Sequence, residues 1–426
     1  MSTQEDDVES RLKELINDIG EAAKKLIESK DEKVTLIHHD DADGITACAL
    51  LKIALHDKFT VQTVCLEKTY PQIIKRIQES GSEPLIYVDL GSPHLKVISS
   101  MNPSGRTIII IDHHDMEKVK AENITVLNPE VYGVDGGIYA CGASLAYVFA
   151  KAIKGEVSRH AHLAVIGSVE IPGDVKGINK LVLEDAVKAN VATYDKRTGK
   201  RSVLWNGRFV SPESLSTKLT IMASVGYYDE GPQKAIEACI KSSWSGLESF
   251  LKMLEERRRR AYSNVIARLQ YEGLNKVGRV QWFHVGDSFC DMGVKVIGTF
   301  CSYLLHQRIV DDDKVLIGFM NMKRTIPGLG ELDAEYVKVS ARAPKKVLTL
   351  METGALEPLS KVVAEAAKRL GGFGDGHMAA ASGIIPKGRE RDFVRIVNEL
   401  LSKAKEKREL KKGTLESFLF PEKVKK

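Results

Sequence analysis

Two short strings in this chain combine side chains that hold divalent metal ions: His38-His39-Asp40-Asp41-Ala42-Asp43-Gly44 and Asp112-His113-His114. Mixed carboxylate and imidazole ligands favour Mn²⁺, Zn²⁺ or iron, whereas Mg²⁺ and Ca²⁺ prefer oxygen alone. Asp41 and Asp43 flank one residue, so a locally extended backbone points both the same way and lets each take a different ion. Two ions roughly 3.5 to 4 Å apart are a known device for hydrolysing phosphate esters, because they generate hydroxide near neutral pH and screen the entering and leaving oxygens.

Each string follows an apolar, mostly β-branched run, Val34 to Ile37 and Thr107 to Ile111, which reads as a buried parallel strand. A third run, Pro84-Leu85-Ile86-Tyr87-Val88, ends in Asp89-Leu90-Gly91-Ser92. A single Asp at a strand end is usually a helix cap or loop acceptor. Three successive strands that each deliver an acid or His to the carboxyl edge of an open α/β sheet, where ligands bind, are expected to build a metal site, with Asp89 able to bridge.

These residues resemble the DHH phosphoesterase superfamily, subgroup DHH/DHHA1, and most closely its archaeal RecJ-like single-strand-specific nucleases. The matching strings are Asp41-Ala42-Asp43-Gly44-Ile45-Thr46, Val88-Asp89-Leu90-Gly91, Asp112-His113-His114 and the C-terminal Gly371-Gly372-Phe373-Gly374-Asp375-Gly376-His377-Met378-Ala379-Ala380-Ala381. The resemblance implies that Asp41, Asp43, Asp89 and His113 are metal ligands, with His39 a further one and His38 structural. It implies that His114 faces the scissile phosphate, while Asp112 reads as the group that fixes an imidazole tautomer. The family's fourth motif is altered here. Asp174, presented by the Pro172-Gly173 turn, is the expected last ligand, with Glu170 as the alternative. The implied cofactor is a pair of Mn²⁺ ions, with Mg²⁺ as the alternative.

The C-terminal part is expected to hold the substrate. Its Gly-rich stretch reads as a turn whose backbone N–H groups at Gly374 and Gly376 approach an anion beside the His377 side chain. Tyr336 to Arg342 alternates as a strand with Lys338, Ser340 and Arg342 on one face, and the family's Ser-x-Arg at this point grips nucleic acid or phosphate. Arg342 would suit a bidentate contact. Ser382 replaces a Gly usual in the family.

The expected fold is α/β in two lobes, a parallel-sheet DHH domain and a smaller mixed-sheet DHHA1 domain joined by a helical connector, with the active site in the cleft between them. The expected boundaries are an N-terminal helix over 1–32, the DHH domain over 33–190, an insertion and connector over 191–275, the DHHA1 domain over 276–400 and a basic tail over 401–426. The helix carries Leu12, Leu15, Ile16, Ile19 and Ala23 on one stripe. The connector contains Arg257-Arg258-Arg259-Arg260, and Trp205 either stacks on a base or packs in a hairpin with Asn206-Gly207.

Composition agrees with a soluble, cytoplasmic enzyme. No apolar run reaches the roughly eighteen residues a bilayer span needs, and no secretory signal opens the chain. The 6 Cys form no CxxC pair and read as reduced core residues. A net charge of +5 is modest for a nucleic-acid protein, so local clusters matter more than the total.

Together these features point to a metal-dependent exonuclease of DNA repair or replication. It would hydrolyse single-stranded DNA, and RNA as a second substrate, to 5′-mononucleotides, with 3′ to 5′ polarity favoured. A phosphodiesterase for short oligonucleotides or cyclic dinucleotides, and a non-catalytic replisome scaffold, are the alternatives. Helicase or replisome proteins are candidate partners. Lys412-Gly413-Thr414-Leu415-Glu416-Ser417-Phe418-Leu419 resembles a sliding-clamp-binding motif, in which one 3₁₀ turn would align Leu415 and Phe418 for a clamp pocket, with Leu419 in place of the second aromatic, or the segment would fold back on the enzyme itself.

Overall fold

The computed structural model describes residues 2–102, 105–117, 119, 121 and 123–402. The clamp-like segment with Leu415, Phe418 and Leu419 lies outside the described residues. The chain divides into two compact units, with the first cut at Arg258/Arg259.

The first unit opens with helix α1 (Ser2–Glu28) and continues through β1 (Lys33–His38), α2 (Ala42–Leu55), β2 (Thr60–Cys65), α3 (Pro71–Glu79), β3 (Leu85–Val88), α4 (Leu95–Ser100), β4 (Ile108–Ile111) and β5 (Ile124–Leu127). The five strands form one sheet in the order β2-β1-β3-β4-β5, and every pairing is parallel. The three central strands are almost wholly buried, whereas the edge strands β2 and β5 alternate. That contrast is why the apolar runs of β1, β3 and β4 stand out in the sequence and the edges do not. From β1 the chain steps to β2 on one side, then to β3 on the other side of β1. Consecutive connections diverge there, and in an open parallel sheet the divergence opens a crevice at the carboxyl ends of the two strands.

Helices α5 (Gly136–Tyr139), α6 (Gly142–Ile153), α7 (Ala161–Gly167) and α8 (Gly177–Lys188) follow, and α2 packs against both α6 and α7. Helix α1 buries Leu12, Leu15, Ile19 and Ala23 of its expected stripe, and Ile16 is half-buried. A three-stranded antiparallel sheet, β6 (Ala192–Tyr194), β7 (Arg201–Trp205) and β8 (Arg208–Val210), precedes α9 (Pro212–Thr220) and α10 (Gly231–Lys241). Trp205 is a packing residue: it is buried with its ring centroid 5.0 Å from that of Trp244. Asn206 and Gly207, both with positive φ, make the tight β7–β8 turn.

Helix α11 (Glu248–Glu272) carries the chain across the unit boundary. Within the second unit, β9 (Asn275–Val277), β10 (Val280–His284), α12 (Lys295–Leu304) and β11 (Val315–Asn321) come first. The short hairpin β12 (Thr325–Ile326) and β13 (Gly330–Glu331) belongs to the first unit. Then β14 (Tyr336–Arg342), α13 (Lys345–Glu352), α14 (Leu359–Arg369), β15 (Phe373–Gly376) and β16 (Ala380–Pro386) complete a mixed six-stranded sheet in the order β15-β16-β14-β11-β10-β9. Its core joins Ile317, Phe319, Val337 and Val339 of the sheet to Leu359, Val363 and Ala366 of α14. Cys48, Cys65, Cys141, Cys239 and Cys301 are buried thiols. Among the described residues no helix is long and apolar enough to cross a membrane.

Candidate metal centre

The carboxyl ends of β1, β3 and β4 bring the polar residues together at the divergence of the sheet. Beyond β1, Asp41 caps α2, its Oδ1 accepting from Gly44 N at 3.0 Å, while its Oδ2 lies 2.7 Å from His39 Nδ1. The backbone N–H of Ala42 donates to Thr220 Oγ1 at the end of α9, which pins this corner. Asp43 accepts from the first N–H groups of α6, Gly142 N at 2.8 Å and Ala143 N at 2.6 Å. Burial and then the charge of Asp41 raise the Asp43 carboxyl to about 6, against the pull of those two donors. His38 is buried and bonds His39 O through Nδ1; burial lowers it to about 4, so it is a neutral structural donor.

Asp89 leaves β3 with φ at 60°, a left-handed conformation that costs a non-glycine residue of the order of 1 kcal/mol. Strain of this kind persists where the surroundings demand it. Burial, followed by the charges of Asp43, Asp41, Asp112 and Glu170, pushes Asp89 well above the usual carboxylate range. Its Oδ1 makes no hydrogen bond among the described residues and stands 3.4 Å from His113 Nε2. Two glycines let the backbone come this close. A Cβ on Gly142 would sit 2.5 Å from Asp89 Cβ, and one on Gly167 would sit 2.7 Å from Asp43 Oδ1.

After β4, Asp112 is completely buried and collects donors: Ser92 N at 2.9 Å, His113 N at 2.8 Å and His114 Nδ1 at 2.7 Å. Burial opposes its charge, yet the neighbouring His114 and these donors hold it well below the usual range. Asp112 thus orients His114, whose side chain is 31% exposed. Asn128, at the end of β5, ties the loop by donating to His114 O at 3.0 Å and Ser92 Oγ at 2.9 Å. His113 Nε2 lies 3.6 Å from Asp43 Oδ2.

The donor atoms fall into two overlapping sets. One each from His39, Asp41 and Asp89 lie within 4.8 Å of one another, as do one each from Asp89, His113 and His114, so Asp89 belongs to both. Acids whose pKa values are pushed up by burial and then by each other's charge, with imidazoles among them, fit divalent cations: a cation supplies the missing counter-charge.

Asp174 is placed elsewhere. It is exposed and lines an open pocket with Leu12, Ile16, Tyr139 and Ile178. The Pro172-Gly173 turn forms as expected but directs the next carboxylate outward, and it is Glu170 whose charge reaches Asp89. In the second unit the Gly-rich stretch is not a loop: Gly374 and Gly376 lie in β15, paired with Gly383 and Ala381 of β16. The closeness of Ser382 O, 2.9 Å from where a Cβ of Gly374 would be, accounts for that glycine. His377 opens the exposed turn to β16, its N–H donating to Ala380 O. Ser340 is buried in β14, and the Arg342 guanidinium bonds Ser302 Oγ, Ser340 Oγ, Ala341 O and Gly298 O at 2.9 to 3.0 Å. Four of its five N–H groups are therefore spent inside the unit, which leaves no fork for the bidentate contact expected.

Residues 33–168 match the DHH family, N-terminal domain. An uncharacterized protein from Methanocaldococcus jannaschii is 22% identical over 455 residues, covering 92% of this chain and 98% of its own length. A Bacillus subtilis protein that carries the name of an SPbeta prophage-derived single-strand DNA-specific exonuclease, YorK, is 26% identical over 179 residues, which are 38% of this chain and 30% of that one. In fold, RecJ from Thermus thermophilus in complex with Mn²⁺ matches with a TM-score of 0.63 at 15% identity, over 91% of this chain and 55% of RecJ. The present chain thus spans about half the length of that RecJ. Residues 33–168 thus carry a DHH-family N-terminal domain, and the parallel sheet followed by a separate mixed sheet gives the chain a RecJ-like fold.

Proposed function

We propose that this protein is a divalent-metal-dependent exonuclease that shortens single-stranded DNA, with RNA as a second substrate, from the 3′ end and releases 5′-mononucleotides. The observation that carries the proposal is the pair of donor sets, His39–Asp41–Asp89 and Asp89–His113–His114, joined through one buried carboxylate. His39, Asp41, Asp43, Asp89 and His113 would hold two ions, Mn²⁺ being favoured by the two imidazoles, with Glu170 preferred to Asp174 as the remaining acid. The ions would supply a hydroxide near neutral pH and screen charge on the phosphoryl oxygens.

The chain's own residues prepare that chemistry. Asp43 is fixed by the α6 N-terminus, and Asp89 by its packing on Gly142, so neither carboxylate needs to reorganise. The Nδ1–H bond to Asp112 sets the His114 ring and leaves Nε2 as the nitrogen that would face a phosphoryl oxygen, donating to it when the ring is protonated. Of the residues expected to bind substrate, His377 is the one whose side chain is exposed. Sliding-clamp binding through Leu415, Phe418 and Leu419 stays part of the proposal on sequence grounds alone.

The experiment is incubation of the protein with 5′- or 3′-labelled single strands of graded length, DNA and RNA, in Mn²⁺ or Mg²⁺. The expected outcome is a ladder of strands shortened from the 3′ end and a mononucleotide product. Turnover confined to two- or three-residue strands or cyclic dinucleotides would replace the exonuclease reading with the small-substrate phosphodiesterase, and no turnover with any of these would favour the scaffold.

A further inference from the structure

Asp40 is the acid of the first motif that has no task so far. It is 0% exposed, yet neither of its carboxylate oxygens hydrogen-bonds to a described residue. A buried carboxylate is costly unless a donor or an opposite charge meets it. Its charge is felt by Cys65, Tyr70 and Tyr227, and the group near it that can carry a positive charge is the His39 ring, whose Nε2 stands 3.5 Å from Asp40 Oδ1. The other nitrogen of that ring, Nδ1, looks the opposite way, bonded to Asp41 Oδ2 at 2.7 Å and 3.8 Å from Asp89 Oδ2, so an ion taken by Asp41 and Asp89 would compete with the Nδ1 proton. The ring thus stands between acids with different duties. Asp41 and Asp89 share a donor set with His39, whereas Asp40 belongs to neither set.

We propose that Asp40 is the positioning residue for His39. With an ion bound, it would receive the Nε2–H as the proton leaves Nδ1, and so hold the Nδ1 lone pair toward Asp41 and Asp89. This rests on the reading of His39 as a metal ligand. A ligating imidazole commonly donates its second N–H to a carboxylate, and losing that partner typically weakens metal binding 10- to 100-fold. The opposite side of the centre contains the same device in mirror form. Asp112 holds His114 through Nδ1, Asp40 faces His39 through Nε2, and the two rings consequently present opposite nitrogens. A buried acid within two residues of each of these rings also accounts for an otherwise uneconomical pair, Asp40-Asp41, at a strand end.

The test is calorimetric titration of the full-length protein with Mn²⁺ for the wild type, Asp40→Leu, Asp40→Asn, His39→Ala and the double variant His39→Ala/Asp40→Leu. Long-range ¹H–¹⁵N correlation of the imidazoles in the Mg²⁺-loaded protein accompanies it. Asp40→Leu is expected to weaken Mn²⁺ binding about 10- to 100-fold, with Asp40→Asn in between because its amide oxygen still accepts. In the His39→Ala background the Leu substitution should add nothing. The wild-type His39 signal should be that of the Nε2–H tautomer, and that single pattern should be lost in Asp40→Leu or, if the Leu variant does not fold, weakened in Asp40→Asn. Unchanged affinity in the Asp40 variants, an Nδ1–H tautomer in the wild type, or an equal loss with and without His39 would overturn the positioning role, the last by showing a charge acting at a distance. A wild type that binds no Mn²⁺ would overturn the metal reading as well. Failure to cut nucleic acid, with Mn²⁺ binding that depends on Asp40, would remove only the nuclease reading.

Discussion

The strand ends of the parallel sheet and the β14–β16 region of the mixed sheet both look, in sequence, like places that handle charged ligands, yet they treat their polar groups in opposite ways. At Asp41, Asp43 and Asp89 the fold buries like charges beside one another and leaves Asp89 Oδ1 without a hydrogen bond among the described residues. At Ser340 and Arg342 the polar atoms are consumed by their own unit, the guanidinium being clamped onto Gly298 O and Ser302 Oγ of α12. Electrostatic strain that the protein itself does not relieve marks a site for an outside charge, and polar groups that satisfy one another mark architecture.

The comparison breaks most visibly at Asp89. Replacing it with Asn should lower hydrolysis by at least about a thousandfold, because the acid shared by both donor sets is gone. The same change should stabilise the metal-free protein by about 1 kcal/mol, since it removes a repelled buried carboxyl and Asn tolerates the left-handed backbone. Thermal unfolding in a chelator checks the second half, and a lower midpoint would show that Asp89 is architectural after all. Gly142→Ala comes next. A Cβ 2.5 Å from Asp89 Cβ must displace that carboxylate, so Mn²⁺ affinity and hydrolysis should fall about 10- to 100-fold by the usual cost of a misplaced catalytic group, although Ala is the better helix former by up to about 1 kcal/mol. Titration and rate measurements on the variant decide it, and wild-type values for both would mean that the close approach is incidental.

Sequence patterns revealed the strands that matter most, because β1, β3 and β4 are buried on both faces and read as unbroken apolar runs. Edge strands β2 and β5, half exposed, gave no such signal. The residue types of the centre were also legible, since Asp and His within a few positions of a strand end need no knowledge of the rest of the chain. What supports them was not. Asp43 is held by N–H groups about a hundred positions away, at Gly142 and Ala143, and only the folded chain reveals that contact. The Pro-Gly turn before Asp174 was read correctly as a turn, but turn chemistry does not say which way the following carboxylate points. The Gly-rich stretch read as a turn, whereas Gly374 and Gly376 lie in a strand, where they accommodate a close neighbouring strand and, at Gly374, helix α14.

A smaller effect separates buried histidines from those of the centre. His162, in α7, is buried with Nε2 2.7 Å from Ser242 Oγ, and burial, then His160, lowers it to about 4 from 6.5. The folded state therefore binds this proton less well than the unfolded chain. The stability it costs appears as pH falls below about 6.5 and is complete near 4. Between about pH 7.5 and pH 5 the loss should be roughly 2 kcal/mol from this residue. Denaturant midpoints at the two pH values should differ less for His162→Gln than for the wild type. An equal difference would show that the imidazole is not held neutral. His160, lowered in the same direction mainly by burial, leaves part of the acid sensitivity in the variant.

The smallest effect bears on the architectural side of the comparison. If Arg342 is a clamp between β14 and α12, Arg342→Ala loses four hydrogen bonds and leaves Gly298 O and Ser340 Oγ without that donor, which should cost about 1 to 3 kcal/mol of stability. Single-strand affinity should then change little when measured well below the unfolding transition, and the slope of log affinity against log salt should move by much less than the 0.7 or so that one lost phosphate contact brings. Arg342→Lys should behave almost like Ala, because one ammonium cannot reach acceptors arranged around a planar fork. Should the slope instead fall by the full amount while stability holds, the guanidinium would have to leave Gly298 O and Ser302 Oγ for the nucleic acid. The two regions would then differ only in when their charges are met, not in whether they serve a ligand.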